Sequence, residues 1–144
     1  MEWPAGEEHE GYCFVLLRPE TVARKLCGTM INAIEQLDCR IVLLEMQAPD
    51  KARIAALYDK PELDAWRDEI VDNHMGGPVV ALLVTGGKNI CHEVGEVVIK
   101  LRLSFAVSRK QNAIHSSDST ELALREASIF FPQWQFNLRT WSSE

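Results

Sequence analysis

The sequence predicts an α+β fold in which four antiparallel strands form one sheet that is covered by helices. Short apolar runs rich in β-prone residues alternate with segments whose apolar residues recur at helical spacing. Gly, Pro and Asp mark the boundaries between these segments. No repeat or linker interrupts their order, and 144 residues suit one domain with one core.

The first three elements alternate between strand and helix. Residues 12–17 form a continuous β-prone run, typical of a central strand that is buried on both faces. Pro19 ends this strand, and Thr21 is a fair N-cap for the next helix. Apolar side chains then recur at helical spacing over 22–36, and a second strand is predicted over 41–46.

Two short helices and the third strand come next. The first helix opens at Pro49-Asp50 and runs to about Leu57, and the second has Pro61 in its first turn and reaches about Asn73. A His-Met-Gly-Gly-Pro segment breaks it. The run 79–85 is apolar almost throughout and predicts the third strand, which Gly86-Gly87 turns into a helix over about 89–101.

The last two elements complete the pattern. A very short strand is predicted at 113–115, and Asp118 with Glu121 forms a capping box for a helix that runs to about Phe130. The resulting order is the split βαββαβ pattern of ferredoxin-like folds. We therefore expect an acidic flexible tail at 1–10, one domain at 11–132 and an irregular C-terminal tail at 133–144, with Trp134, Phe136 and Trp141 available to pack.

Composition excludes several classes of protein. The net charge of −6 argues against a general nucleic-acid binder, although it allows a local basic pocket. The apolar runs are far shorter than the ~20 residues of a membrane span. The acidic N-terminus does not resemble a signal peptide, which favours the cytoplasm. Four widely spaced cysteines form no C-x-x-C pair and are interpreted as free thiols: Cys13, Cys27, Cys39 and Cys91.

The residues that suggest chemistry lie around His115, at a strand end before a capped helix. Backbone N–H groups at such a helix start attract phosphate, and a histidine near its neutral form can attack phosphorus. A lone histidine more often only packs or caps. However, Glu126 falls on the buried face of the next helix and needs a partner, which His115 could be, and the Ser117 hydroxyl could support that carboxylate. Arg102, Arg109 and Lys110 precede His115, as in a polyphosphate site or an ordinary solvated basic loop.

From Tyr12 to Pro132 the sequence resembles the nucleoside diphosphate kinases. The resemblance rests on the string 112–119, Asn-Ala-Ile-His-Ser-Ser-Asp-Ser, with Glu126 at the family's spacing. Arg18-Pro19-Glu20-Thr21 is similar to the family's Lys-Pro-Asp-Gly at the end of the first strand. The resemblance implies a histidine that is phosphorylated by ATP and then passes the phosphoryl group to a nucleoside diphosphate, with Mg²⁺ bound through the nucleotide phosphates and no metal site in the protein.

The resemblance also implies a role for each site residue. His115 is the nucleophile, and Glu126 and Ser117 hold it. Trp66 and Ile70 contact the base, although the helical position of Trp66 alone would favour ordinary core packing. Phosphate and sugar contacts are implied for four further residues, namely Arg18, Tyr58, Arg102 and Asn112. The same resemblance implies a homo-oligomer, a dimer at least with a hexamer as the larger alternative, and neither nucleic-acid nor membrane partners.

Three positions depart from the family's pattern. Arg18 replaces a lysine, and the second phosphate-binding arginine has no counterpart in the stretch 91–96. The segment between Gly86 and Arg102 is several residues shorter than in the family, where it builds part of the nucleotide cleft and of the subunit contacts. These departures favour an alternative in which the chain is a nucleotide-binding or scaffold module with weak or no turnover.

Overall fold

The computed structural model of the chain describes residues 11–136. Four strands form one sheet with the order β2-β3-β1-β4, and all neighbouring strands are antiparallel. The strands are β1 (Gly11–Leu17), β2 (Cys39–Gln47), β3 (Val79–Gly86) and β4 (Ile114–Ser116). The helices are α1 (Pro19–Ala23), α2 (Cys27–Glu35), α3 (Lys51–Leu57), α4 (Arg67–Asn73), α5 (Ile90–Phe105) and α6 (Thr120–Phe130). The predicted α+β fold with a four-stranded antiparallel sheet is confirmed.

The two central strands explain the continuous apolar runs in the sequence. All of β1 is buried, as is β3 up to its last residue, because helices cover both faces of the sheet. Side chains of one face, such as Val15 and Leu82, pack against α2 and α5. Side chains of the other face, such as Phe14 and Leu83, pack against α3 and α6. Each fully buried side chain of this size contributes roughly 1.5–3 kcal/mol.

The prediction of one helix over 22–36 is wrong, because the chain turns after α1. Lys25 has a φ of 61°, in the left-handed region. Its N–H donates to Val22 O at 3.1 Å, and the Leu26 N–H donates to Thr21 O at 3.1 Å. This pair of hydrogen bonds is a Schellman motif, which ends a helix and usually places Gly at the left-handed position. Because lysine occupies that position here, the sequence gives little sign of the break.

Two predicted caps also differ from the structure. Thr21 lies inside α1 rather than at its start, and its hydroxyl donates to Ala113 O at 2.8 Å. Ser119, not Asp118, is the N-cap of α6, and its hydroxyl oxygen accepts from the Leu122 N–H at 3.2 Å. The helix start predicted at Pro49-Asp50 is confirmed: Asp50 is the N-cap of α3, and its carboxylate accepts from the Arg53 N–H at 2.8 Å.

Two helices differ in their bounds from those expected. The helix expected from Pro61 to Asn73 is a 3₁₀ turn at Pro61–Leu63 followed by α4. Helix α5 continues to Phe105, past the predicted end at Leu101. Its 16 residues therefore carry the chain from the sheet through Arg102 in one helix, with no loop in between.

The predicted tails lie largely outside the described residues. Residues 1–10, Trp141 and the rest of 137–144 are not among them. Trp134 and Phe136 are half-buried and pack against the core that includes Phe14 and α6. Within residues 11–136, no helix combines the length and the apolar character that a membrane span requires.

Candidate active site

His115 and Glu126 form the centre of the site. The pairing of β4 with the end of β1 places His115 opposite Leu16, on the face of the sheet that α6 covers. Glu126 is 5% exposed among the apolar residues of α6, and its Oε1 lies 2.5 Å from His115 Nε2. An ionised carboxylate only accepts hydrogen bonds, so Nε2 carries the proton and Nδ1 keeps a lone pair. The structure therefore brings together the pair that the helical spacing suggested.

A cavity of about 240 Å³ lies in front of this pair. Its walls come from the end of β1, from α4, from α5 and from the segment before β4. Besides His115, its lining includes every residue for which a nucleotide contact was expected: Arg18, Tyr58, Trp66, Ile70, Arg102 and Asn112. Residues separated by nearly a hundred positions in the sequence thus share one cleft.

Trp66 and Ile70 stand on the outer side of this cavity. Trp66 directly precedes α4, and Ile70 follows one helical turn later on the same face. Trp66 is 59% exposed, so the indole is not a core residue. An exposed aromatic ring beside a cleft offers a flat surface on which a base can stack.

Arg18 is held by the protein itself. It is buried, its Nε lies 2.8 Å from Glu20 Oε1, and Nη1 and Nη2 donate to Asn112 Oδ1 at 3.3 Å and Lys110 O at 2.6 Å. These contacts fasten the segment that precedes β4 to the end of β1. Because Asn112 accepts with its oxygen, its amide nitrogen remains as a donor toward the cavity.

Arg102 is fixed to the strand that carries His115. Its Nε and Nη2 both donate to Ile114 O, at 3.1 and 2.8 Å. Partial burial lowers the pKa of Arg102 from its ordinary value, but a guanidinium stays charged at neutral pH. The site therefore has a permanent positive charge next to its histidine.

Tyr58 is supported by His74, a residue that sequence reasoning missed. His74 is 1% exposed, its Nδ1 donates to Ile70 O at 2.8 Å, and its Nε2 accepts from the Tyr58 hydroxyl at 3.1 Å. Burial, with the nearby charge of Arg18, lowers the pKa of His74 to about 4. Burial also raises the pKa of Tyr58 to about 12, so both side chains are neutral. His74 lies in the segment that breaks a helix, and no pattern in the sequence pairs it with Tyr58.

Ser117 lies behind the histidine, but its contacts differ from the expected one. Its hydroxyl oxygen accepts from the Phe14 N–H at 2.9 Å, and the hydroxyl lies 3.5 Å from Cys13 Sγ and 3.8 Å from Cys91 Sγ. Ser117 makes no hydrogen bond to Glu126 within residues 11–136. The expectation that its hydroxyl supports this carboxylate is therefore wrong. Ser117 instead ties the end of β4 to β1, which fixes the strand on which His115 lies.

A second cavity of about 470 Å³ opens on the α5 side of the histidine. It shares His115 and Arg102 with the first cavity, so the two cavities meet at these side chains. Lys60, Cys91 and Asp118 also line it. Between Gly86 and Arg102 the chain has only a short turn at 87–89, and α5 then runs uninterrupted along this opening.

The described residues hold no set of metal ligands. Among residues 11–136, no three His, Cys, Asp or Glu side chains are grouped closely enough to bind a metal ion. Asp118 is a single carboxylate at the second cavity. This donor set suits an Mg²⁺ ion that arrives bound to phosphates, because Mg²⁺ retains most of its water when proteins bind it.

A histidine oriented by a buried carboxylate, in a cleft with fixed cations and an exposed indole, is an arrangement that can accept and pass on a phosphoryl group. The family description "Nucleoside diphosphate kinase" matches residues 12–136. The chain belongs to the nucleoside diphosphate kinase family.

Individual relatives agree with the family match. The nucleoside diphosphate kinase of Lawsonia intracellularis is 32% identical over 130 residues, which cover 83% of this chain and 94% of the relative. That of Ignicoccus hospitalis is 33% identical over 129 residues, which cover 82% and 86%.

The solved structure of the Aquifex aeolicus nucleoside diphosphate kinase superposes with a TM-score of 0.74 at 23% identity, over 85% of this chain and 95% of that one. A family protein from Babesia bovis superposes with a TM-score of 0.75 at 21% identity, over 85% and 90%. At these identities the two structures support the fold.

Proposed function

We propose that the chain transfers the γ-phosphoryl group of ATP to nucleoside diphosphates through a phosphorylated His115. The observation that carries this proposal is the 2.5 Å contact between His115 Nε2 and Glu126 Oε1. It leaves Nδ1 as the nitrogen with a lone pair and supplies a negative charge to the ring when the ring becomes positive. Carboxylates have the same orienting role in catalytic triads.

The reaction has two half-steps that mirror each other. In the first, the Nδ1 lone pair attacks the γ-phosphorus, and the bond from that phosphorus to the β–γ bridging oxygen breaks as ADP leaves. In the second, a terminal oxygen of an acceptor diphosphate attacks the same phosphorus, and the bond to Nδ1 breaks. Such transfers depend on position and on charge stabilisation rather than on proton transfer. Mg²⁺ bound to the phosphates of the substrate adds to that charge stabilisation.

The residues around the cleft divide into three tasks. Arg102 provides a positive charge beside the transferred group, and the indole of Trp66, with Ile70, holds the base by its face. Such stacking predicts low base selectivity, because it reads no hydrogen-bond pattern. The Asn112 amide donates to a sugar hydroxyl, and Arg18 positions Asn112 rather than binding phosphate directly. Tyr58 lines the phosphate path as a neutral phenol held by His74.

A second candidate function has an observation in its favour. The side chain of Arg18 is occupied by Glu20, Asn112 and Lys110, and Cys91 lies in the stretch where the family's second phosphate-binding arginine was expected. A nucleotide-binding or scaffold module with weak turnover would need fewer free cations. The paired His115 and Glu126 favour the enzyme, because a scaffold has no use for an oriented nucleophile.

Labelling of the protein by ATP tests this choice. Incubation with γ-³²P-ATP and Mg²⁺ should label the wild type, and the label should be lost in acid and kept in base, as expected for a phosphohistidine. His115→Ala should lose both the label and the transfer to diphosphates, and circular dichroism should show that it stays folded, although the unpartnered Glu126 lowers its melting temperature. Transfer by that variant within a few-fold of the wild type would contradict the mechanism. Nucleotide binding without any label would favour the scaffold.

We further propose a symmetric homodimer formed through β2. This strand lies at the edge of the sheet that residues 11–136 form, and Leu44 and Met46 are 54% and 58% exposed on it. A second copy of the same strand would cover this apolar edge. Light scattering coupled to size exclusion at micromolar concentration should give at least a dimer mass, and a monomer mass would contradict it.

The free thiols of the described residues agree with a reducing cytoplasmic location.

A further inference from the structure

The α5-side cavity contains a lysine that the family comparison does not assign. Lys60 lines this cavity together with His115 and Arg102. Its side chain makes no hydrogen bond or ion pair with any residue of the described range 11–136. By contrast, His92 of α5 lines the same cavity but lies 2.9 Å from Glu96. It forms an ion pair with that carboxylate when protonated.

The backbone of Lys60 is fixed, although its ammonium group has no partner among residues 11–136. The Lys60 N–H donates to Tyr58 O at 2.9 Å, and Lys60 O accepts from Arg67 Nη2 at 3.0 Å. Pro61 follows and restricts Lys60 to extended backbone, which its φ of −130° and ψ of 133° show. The side chain therefore starts from a fixed point on the cavity wall.

Within residues 11–136, Lys60 and Arg102 are the two permanently positive side chains that line this cavity. Glu96 lies beside His92. Asp118 precedes the N-cap of α6, where the positive end of the helix dipole offsets part of its charge. A phosphate group that passes His115 would meet the fixed guanidinium of Arg102 on one side and the ammonium of Lys60 on the other.

We propose that Lys60 is the second phosphate-binding cation of this chain, and that the phosphates of a nucleoside di- or triphosphate extend past His115 into the α5-side cavity. This inference rests on the proposed function, because it specifies how the same site holds its substrate. It accounts for the missing arginine by a cation from the opposite wall. It also implies that the open α5 side of the cleft binds the phosphate chain of the nucleotide.

Calorimetric titration with ADP and with adenosine tests Lys60 separately from catalysis. Lys60→Ala should weaken ADP binding by about 10-fold, the loss expected for one charge-assisted hydrogen bond. Adenosine has no phosphate, so its affinity should not change. Lys60→Arg should bind ADP within about 3-fold of the wild type, because the charge is kept. Lys100→Ala is the matched control, since it removes an exposed lysine of α5 that lines neither cavity.

Three results would overturn the inference. The first is an unchanged ADP affinity in Lys60→Ala. The second is a loss of adenosine affinity in Lys60→Ala as large as its loss of ADP affinity. The third is a loss of ADP affinity in Lys100→Ala as large as that in Lys60→Ala. The outcome for the proposed function is read separately, from labelling of His115. ADP binding that depends on Lys60 without any labelling would keep this inference and reject the kinase. Labelling with normal KM for ADP in Lys60→Ala would do the opposite, and a wild type that does not bind ADP would reject both.

Discussion

The two walls of the cleft differ in how completely the protein binds its own polar groups. In the nucleophile wall, formed by β4 and α6, His115 is bonded to Glu126, and Ser117 is bonded to β1. In the phosphate wall, Arg102 of α5 is bonded to Ile114 O, but the cavity is open, and Lys60, which lines it from the segment between α3 and α4, has no side-chain partner within residues 11–136. His115 is thus held by buried groups, whereas Lys60 keeps its ammonium available to a ligand.

This difference indicates which parts of the site can change during divergence. A buried carboxylate without a partner costs several kcal/mol, so Glu126 and His115 must be kept or lost together. A phosphate can instead be bound by a lysine from another segment, because the ammonium binds it as a point charge without a fixed bidentate geometry. The sequence agrees with this view, since the string 112–119 and Glu126 fit the family's pattern while Arg18 and the stretch 91–96 depart from it.

Among the variants considered, Glu126→Gln should have the largest effect, and it should act on kcat. The amide keeps the shape of the side chain but cannot balance a positive imidazole, so kcat should fall by ~10²–10⁴-fold. Affinity for ADP should stay within about 3-fold, because Glu126 lies behind the histidine and lines neither cavity. Steady-state kinetics and ADP titration of the same preparation measure both quantities. A loss of ADP affinity with an unchanged kcat would contradict this prediction, because it would mean that Glu126 holds the nucleotide rather than orienting His115.

The sequence predicts the nucleophile wall well because its determinants are local. Glu126 lies on the same face of a helix as Leu122 and Ile129, and this helix follows directly after the strand that carries His115. Helical periodicity alone therefore brings a buried carboxylate to a histidine 11 residues away. The four strands are predicted for the same reason, since each is a short run with a clear boundary.

The rest of the site depends on contacts between distant segments. Arg18 and Asn112 are 94 positions apart, and nothing near Arg18 indicates that its guanidinium is occupied. The hydroxyl of Ser117 reaches β1 rather than Glu126, which depends on how β4 pairs. The break after α1 places lysine where Gly is usual, so composition conceals it. These features follow from tertiary packing, and a single sequence does not show them.

His74 provides a pH-dependent test of the wall that carries Tyr58. Its folded pKa of about 4 lies below the ordinary 6.5, so the unfolded chain binds this proton first as the pH falls. The stabilisation is complete above pH 6.5 and is lost as the pH falls toward 4, by up to about 3 kcal/mol at 1.36 kcal/mol per pKa unit. Stability should therefore rise with pH between 4 and 6.5.

Urea unfolding of the wild type and of His74→Gln at several pH values measures this contribution. The variant should be less stable at pH 7, because glutamine cannot reproduce both hydrogen bonds of the imidazole. Its stability should fall less steeply between pH 6.5 and 4.5 than that of the wild type, since it lacks the titrating group. Parallel slopes for the two proteins would show that the buried imidazole is not the source.

The smallest effect should come from Trp66, at the exposed end of the cleft. Trp66→Ala should weaken ADP binding by ~1–3 kcal/mol, the range for stacking of a base on an aromatic ring. Trp66→Phe should recover most of this loss, and Glu126→Gln should show none of it. Since the indole is 59% exposed, its removal should barely change the melting temperature, which separates a binding role from a structural one. Quenching of tryptophan fluorescence by any purine nucleotide, absent in Trp66→Ala, gives the direct measurement. An unchanged dissociation constant for ADP would mean that the base lies elsewhere and that only the phosphates hold the nucleotide.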